Sequence, residues 1–324
     1  MRTAFTERFG IDHPLVQAGM GIEAGAALAA AVSNAGALGS LGSIGGTPDV
    51  LAESIRACRA ATDRPFAVNV VTWPWAPWAI ELVEVACAEH VPVVTLSFGD
   101  PLPHLERCRA AGARILVQVQ DLAGARAALA AKPDALIVQG NEAGGHTGRR
   151  GTLAFAAQVL DLAGDVPVLV AGGIGTGRGL AAALAMGAAG AVVGTRFKAS
   201  DEFAADAALK RALVTSDGGD TLYDQVFDDA CGLDWPNGIT GRALRSRFST
   251  EWVGRRDALR AAVAAKPPFG FYAELNADPA TAINWAGESA GLVTSVRPAA
   301  DIVRDIVDDA RRRLAAAAAL VRPA

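Results

Sequence analysis

The sequence predicts a closed (β/α)8 TIM barrel carrying a smaller, mainly helical lobe inserted after its eighth strand. Three observations lead there. Apolar runs of strand length recur eight times between residues 15 and 193, seven longer segments with helical spacing separate them, and the connections between them are short. The runs are continuous rather than alternating, as expected for parallel strands buried on both faces. The rival architecture, an open doubly wound sheet, places a G-x-G-x-x-G turn after its first strand. Here Gly19-Met20-Gly21 lacks that spacing.

Taken in order, the strands are read at residues 15–17, 37–39, 66–69, 93–96, 115–119, 135–138, 168–171 and 191–193. Helices are read between them at 24–34, 49–62, 78–90, 103–111, 122–131, 153–163 and 178–186. Beyond Phe197 the regularity breaks. Residues 201–282 hold helical pieces, the turn-rich Asp217-Gly218-Gly219-Asp220 and Trp235-Pro236-Asn237-Gly238, without strand periodicity. The expected organisation is therefore a barrel over residues 1–200, a helical lid or substrate lobe over 201–282, and a segment over 283–324 that returns to the barrel. This last segment contains Trp285-Ala286-Gly287 and a helix over 299–320, placed to close the outer ring beside the first strand.

Composition removes several function classes. At 324 residues and 51% apolar, with 35 glycines, the chain suits a compact α/β enzyme. A net charge of -4 without a basic block gives nucleic acid nothing to bind. Arg311-Arg312-Arg313 reads as charge in the last turns of the final helix. No apolar run approaches the roughly 18 residues of a membrane span, and no signal-peptide pattern opens the chain, so a cytoplasmic location is expected. Cys58, Cys87, Cys108 and Cys231 lack paired spacing and are expected to pack in the core, with neither zinc nor disulfides. No metal site is expected, and a monomer or a homodimer fits equally.

Chemistry is expected at the loops after the strands, which all open on one face of a barrel. The stretch from Gln139 to Gly151 stands out there, with His146 among Gly140, Gly144, Gly145, Gly148 and Gly151 and with Glu142 nearby. Glycines cost backbone entropy, which makes sense where main chain approaches a flat ligand or takes positive φ; a flexible connector with a solvated histidine is the plainer reading. Gly172-Gly173 ends the seventh strand and Gly194-Thr195 the eighth. Each pair alone is also a tight turn, but together they mark the corner where barrels hold phosphate on bare peptide N–H groups. Asn69 and Gln118 supply donors and acceptors for an uncharged ring edge, or else bond neighbouring backbone. Gly19 and Met20 offer close main-chain approach and a soft apolar wall. A phosphate corner beside neutral amides describes a nucleotide or flavin.

Among the histidines, His146 is the one placed to exchange a proton above the strand ends. His13 precedes the first strand, on the opposite face; His90 closes a helix; His104 is expected to be exposed at a helix start. Trp73, Trp75 and Trp78, in the loop after the third strand, either wall a pocket or pack on the lobe.

Several of these residues together resemble the nitronate monooxygenases, formerly called 2-nitropropane dioxygenases. They are the run from His13 to Met20, the Ala-Ala-Ala-Val-Ser-Asn-Ala-Gly run ending at Gly36, Gln139 to His146, Ala171-Gly172-Gly173-Ile174, and Gly194-Thr195-Arg196-Phe197. The similarity extends through Trp285-Ala286-Gly287 to the last helix. FMN-dependent enoyl-acyl-carrier-protein reductases share the barrel and the Glu-Ala-Gly-Gly-His loop. The resemblance implies an FMN enzyme that oxidises alkyl nitronates or nitroalkanes with dioxygen to a carbonyl compound and nitrite. It implies His146 beside flavin and substrate, Gly173, Gly194 and Thr195 at the phosphate, and Gly19, Met20, Asn69 and Gln118 at the ring; Gly144, Gly145 and Gly172 complete the expected cofactor set. Some members have a lysine where this chain has Gln118. An NAD(P)H-dependent enoyl-thioester reductase and a non-catalytic flavin-binding protein are the alternatives.

Overall fold

The computed structural model describes residues 1–73, 78–236 and 238–320, with the main chain alone at Trp78. Eight parallel strands form the barrel: β1 (Leu15–Gln17), β2 (Gly39–Gly42), β3 (Phe66–Val71), β4 (Val93–Ser97), β5 (Arg114–Val119), β6 (Ala135–Gln139), β8 (Val168–Ala171) and β9 (Gly190–Val193). Between β6 and β8 lies a short strand outside the barrel, β7 (Gly145–Thr147). The strand order β1-β9-β8-β6-β5-β4-β3-β2 runs round the wall. It closes where Val16 bridges Leu38.

The seam between β1 and β2 is completed by a side chain. Gln17 Oε1 accepts from Ser40 N at 2.9 Å and its Nε2 donates to Ser40 O at 3.1 Å, so a buried amide replaces ladder bonds that the diverging strands no longer make. Close approach on the outer side of β2 depends on Gly39, where a Cβ would lie 1.9 Å from Ala29 O.

Inside the barrel, Val16, Leu38, Ala67, Val93, Leu116, Ile137, Leu169 and Val192 form one apolar cluster. Phe5 and Phe9, from the helix Ala4–Phe9, close it from the N-terminal end of the strands. That helix is absent from the sequence reading. Its six residues are too few to show a hydrophobic period. The opposite-facing strand residues pack under the outer helices in a second, larger cluster. Seven strands match the expected positions to within two residues at either end, while β2 begins two residues later than read, at Gly39, and ends three later, at Gly42. The final helix, Ala299–Ala319, packs against the helices Gly177–Ala185 and Ala26–Asn34.

Two sequence expectations are corrected by the outer helices. Arg311, Arg312 and Arg313 lie before the last turn and pair with Asp308 and Asp309 one turn back. His104 is half-buried, and burial beside Arg107 lowers its pKa. Cys58, Cys87 and Cys108 are buried on helices as anticipated, with 3.9 Å between the sulfurs of Cys87 and Cys108.

The segment after β9 is mainly helical and has its own apolar cluster around Phe227, Phe248 and Leu259. It also contains β10 (Thr221–Tyr223) and β11 (Thr240–Leu244). With β7 they form an antiparallel sheet of order β10-β11-β7. The strands escaped the sequence reading because β10 has three residues and every residue of β11 is buried, leaving no alternation to detect. None of the described helices is long and apolar enough to cross a membrane.

Candidate active site

Strand alternation sets the chemistry of the barrel mouth. Ala67, Val93, Leu116 and Ile137 face the interior, so Asn69, Ser97, Gln118, Gln120 and Gln139 face the same way nearer the C-terminal strand ends. Asn69 Nδ2 donates to Ser97 Oγ at 3.1 Å. Gln118 Nε2 and Gln120 Nε2 each donate to Gln139 Oε1, both at 3.1 Å. The result is a belt of neutral amides and a hydroxyl above an apolar plug. Asn69 and Gln118 were read from sequence; counting two residues on from Gln118 and from Ile137 finds Gln120 and Gln139.

The glycines of the mouth divide into two groups. At Gly19 a Cβ would lie 2.5 Å from Asn69 Cβ, at Gly144 it would lie 2.5 Å from the Ala286 carbonyl carbon, and at Gly172 2.6 Å from Thr152 Oγ1. These three let parts of the chain itself approach. Gly145, Gly173 and Gly194 are different. Among the described residues, and apart from each glycine's chain neighbours, no atom comes within 4 Å of a Cβ built at Gly145, the nearest at Gly173 is Glu142 Cβ at 3.6 Å, and at Gly194 it is Met20 Sδ at 3.4 Å. Gly145 and Gly173 also have positive φ, of 73° and 72°. Gly194 leads into the short helix Thr195–Lys198, and Thr195 Oγ1 accepts from Gly287 N at 2.9 Å. The open backbone at Gly173 and Gly194 is a cradle that side chains would fill, and it fits a phosphate.

Glu142, which the sequence places near His146, points elsewhere. Its carboxylate accepts from Thr152 N at 2.9 and 3.0 Å and from Thr152 Oγ1 at 2.5 Å. It thus caps the helix Thr152–Leu160, where a negative charge meets the positive end of the helix dipole.

His146 sits in β7, paired with Gly241 of β11, so the lobe carries the imidazole as an element of its own sheet. Its Nε2 lies 2.6 Å from Asp228 Oδ1, and Thr240 Oγ1 donates to the other oxygen, Oδ2, at 2.5 Å. Trp235 stacks on the ring at 3.9 Å between centroids with 20° between planes. Trp285 lies 5.0 Å away, tilted by 41°. Phe98, just past β4, meets the edge of Trp235 at 4.9 Å and ties this group to the barrel rim. Trp285 fits because residue 241 is glycine: a Cβ there would be 2.3 Å from the indole Cζ3.

The loop is anchored further by Tyr223, whose hydroxyl donates to Thr147 O at 2.9 Å and alternatively to Gly148 O at 3.0 Å. Arg242 Nε donates to Asn141 O at 2.9 Å. Lys198 Nζ donates to Asn284 Oδ1 at 2.9 Å and to Trp285 O at 2.7 Å. Burial pushes its pKa down to about 8, against a smaller opposing pull from Glu23.

Sequence reasoning did not assign Asp228, Trp235, Trp285 or Thr240 to the site. Asp228 is 82 positions from His146 and belongs to no motif. Trp235 and Trp285 were noted only as a turn and as the returning segment. Of the tryptophan loop, Trp75 and the side chain of Trp78 lie outside the described residues. Trp73 Cα runs 3.2 Å from the Cβ position of Gly99, after β4. His13 lies at the other end of the barrel, with Nδ1 buried and unpartnered among the described residues, and His90 follows a helix end at a φ of 48°.

A family model described as nitronate monooxygenase matches residues 2–77 and 75–309. The chain is 38% identical over 251 residues to the (3aS,4S,5R,7aS)-5-hydroxy-7a-methyl-1-oxo-octahydro-1H-indene-4-carboxyl-CoA dehydrogenase of Mycobacterium tuberculosis, covering 76% of this chain and 67% of that one. FabK from Thermotoga maritima superimposes with a TM-score of 0.88 at 31% identity, over 99% of this chain and 100% of that one. The nitroalkane oxidase of Streptomyces ansochromogenes does so with a TM-score of 0.82 at 31% identity, over 97% and 100%.

Proposed function

The chain belongs to the nitronate monooxygenase family of flavin-dependent oxidoreductases, and on that premise we propose that it binds FMN at the barrel mouth and oxidises alkyl nitronates, and the nitroalkanes from which they form, with dioxygen to a carbonyl compound and nitrite. The observation that carries this reading is one imidazole clamped by two indoles above a mouth of neutral amides and bare glycines. Gly173, Gly194 and Thr195 would hold the phosphate. Asn69 and Gln118, the latter oriented by Gln139, would meet the polar edge of the ring system, with Met20 as an apolar wall. Once bound, the flavin supplies the electron acceptor.

The protein's own part concerns the proton and the charge. With a neutral nitroalkane, His146 takes the proton from the α-carbon; the C–H bond breaks, an N–H bond forms on the ring, and the electron pair moves into the nitro group. With a nitronate that proton is already gone, and His146 need only orient the anion. Trp235, stacked on the ring, and Trp285, tilted beside it, shield it from water, which strengthens both effects.

A second reading, a flavoenzyme acting on an acyl thioester, is favoured by the 38% identity with the carboxyl-CoA dehydrogenase. In its reductase form, which requires NAD(P)H, His146 would position or protonate the enone. One experiment separates the two. Flavin-loaded protein is mixed anaerobically with propyl-2-nitronate and, separately, with NADPH, and flavin absorbance is followed. Rapid bleaching by the nitronate with slow bleaching by NADPH is expected; rapid bleaching by NADPH together with inertness towards the nitronate favours the thioester reading. A third reading, non-catalytic flavin binding, expects neither reagent to bleach the flavin.

A further inference from the structure

We propose that Asp228 is the positioning residue that holds His146 as its Nε2–H tautomer, leaving Nδ1 as the nitrogen that accepts a proton. The tautomer follows from the dyad geometry alone. Its use in catalysis rests on the reading of His146 as a base.

A carboxylate accepts hydrogen bonds and has none to donate, so the 2.6 Å approach of Asp228 Oδ1 places the ring hydrogen on Nε2. A neutral imidazole has one N–H, and Nδ1 is then bare. The carboxylate is fixed in turn. Asp228 is 4% exposed, its Oδ2 is taken by Thr240 Oγ1, and its short helix Val226–Cys231 packs against β11, the strand that pairs with the one bearing His146. The stacked Trp235 sets the plane of the ring. With an indole stacked on the ring and a carboxylate at Nε2, Nδ1 is the ring nitrogen left for a reactant. When Nδ1 takes a proton, the new positive charge lies against a desolvated carboxylate, which stabilises it where it forms. The other polar groups near the loop are already engaged: Glu142 on Thr152, Arg242 on Asn141 and Thr221, and Tyr223 on the Thr147 and Gly148 carbonyls.

The test is 15N NMR of the full chain, loaded with FMN and labelled at its histidines, of which there are 4; the His146 ring is identified by its loss in His146→Gln. Wild type at neutral pH is expected to show Nε2 protonated and Nδ1 bare. In Asp228→Asn the side-chain amide can donate to Nε2, so the hydrogen moves to Nδ1. kcat for a neutral nitroalkane then falls on the order of 10³- to 10⁴-fold, the loss that the wrong tautomer causes in other His–Asp pairs. The loss on the preformed nitronate, which has no proton to remove, is much smaller. Asp228→Glu restores the Nε2–H signature. A bare Nε2 in wild type overturns the proposal, and that measurement needs no variant to fold. An unchanged tautomer in a folded Asp228→Asn overturns it too. If neither nitronate nor nitroalkane is turned over while the wild-type tautomer is Nε2–H, the substrate reading fails and the tautomer assignment stands.

Discussion

At the scale of single residues, the site depends on who occupies the space around one imidazole. Trp285 reaches His146 because position 241 has no side chain. Gly241→Ala sets a methyl 2.3 Å from the indole and forces the ring aside. The expected result is a stability loss of about 1–3 kcal/mol in denaturant melts, with a rise in KM as the clamp opens; unchanged melting and unchanged KM would show that the indole has room to move. His146 itself could be found in the sequence because glycines crowd round it after an apolar strand. Its partners could not. Asp228 is one of five acidic residues between 217 and 229, and only the folding of β7 onto β11 selects it. The amide belt falls between these cases: Asn69 and Gln118 were legible as polar residues ending apolar strands, and their neighbours followed once the facing of each strand was known.

At the scale of elements, two junctions hold the loop in place. One is the cap that Glu142 places on the helix Thr152–Leu160. Glu142→Ala is expected to cost about 0.5–2 kcal/mol in thermal or denaturant unfolding, the usual loss on removing a cap. The other is Lys198, which ties the short helix after β9 to the carbonyl of Trp285. Its pKa is about 8 in the folded chain against 10.5 for an ordinary lysine. From about pH 8 to 10.5 the unfolded chain therefore holds a proton that the folded chain has released, and stability rises with pH by at most about 1.4 kcal/mol per unit. Below that window both states are protonated and the full cost of burying the charge is present. Lys198→Met is expected to lack this rise when denaturant midpoints are compared with wild type across the window; an identical slope in both proteins would contradict it. The barrel strands were legible because burial on both faces makes each an unbroken apolar run. β7, β10 and β11 were not, since their pairing is antiparallel, non-local and only three to five residues long.

At the scale of the whole molecule, the mouth is assembled from three parts of the chain. The barrel gives the open backbone at Gly173 and Gly194 and the amide belt, the segment after β9 gives Asp228, Thr240 and Trp235, and the returning segment gives Trp285. The barrel was readable in outline because its repeat is local: strand, loop, helix. The joining of the three parts was hidden because it is made by contacts between residues far apart in sequence. We propose that this assembly lets His146 take a proton from carbon. The most direct measurement compares His146→Ala with wild type on a neutral nitroalkane and on its preformed nitronate, using one preparation of each protein. The expected result is a loss of about 100-fold or more in kcat on the nitroalkane and a much smaller loss on the nitronate. Equal losses on both, or none on either, would contradict it.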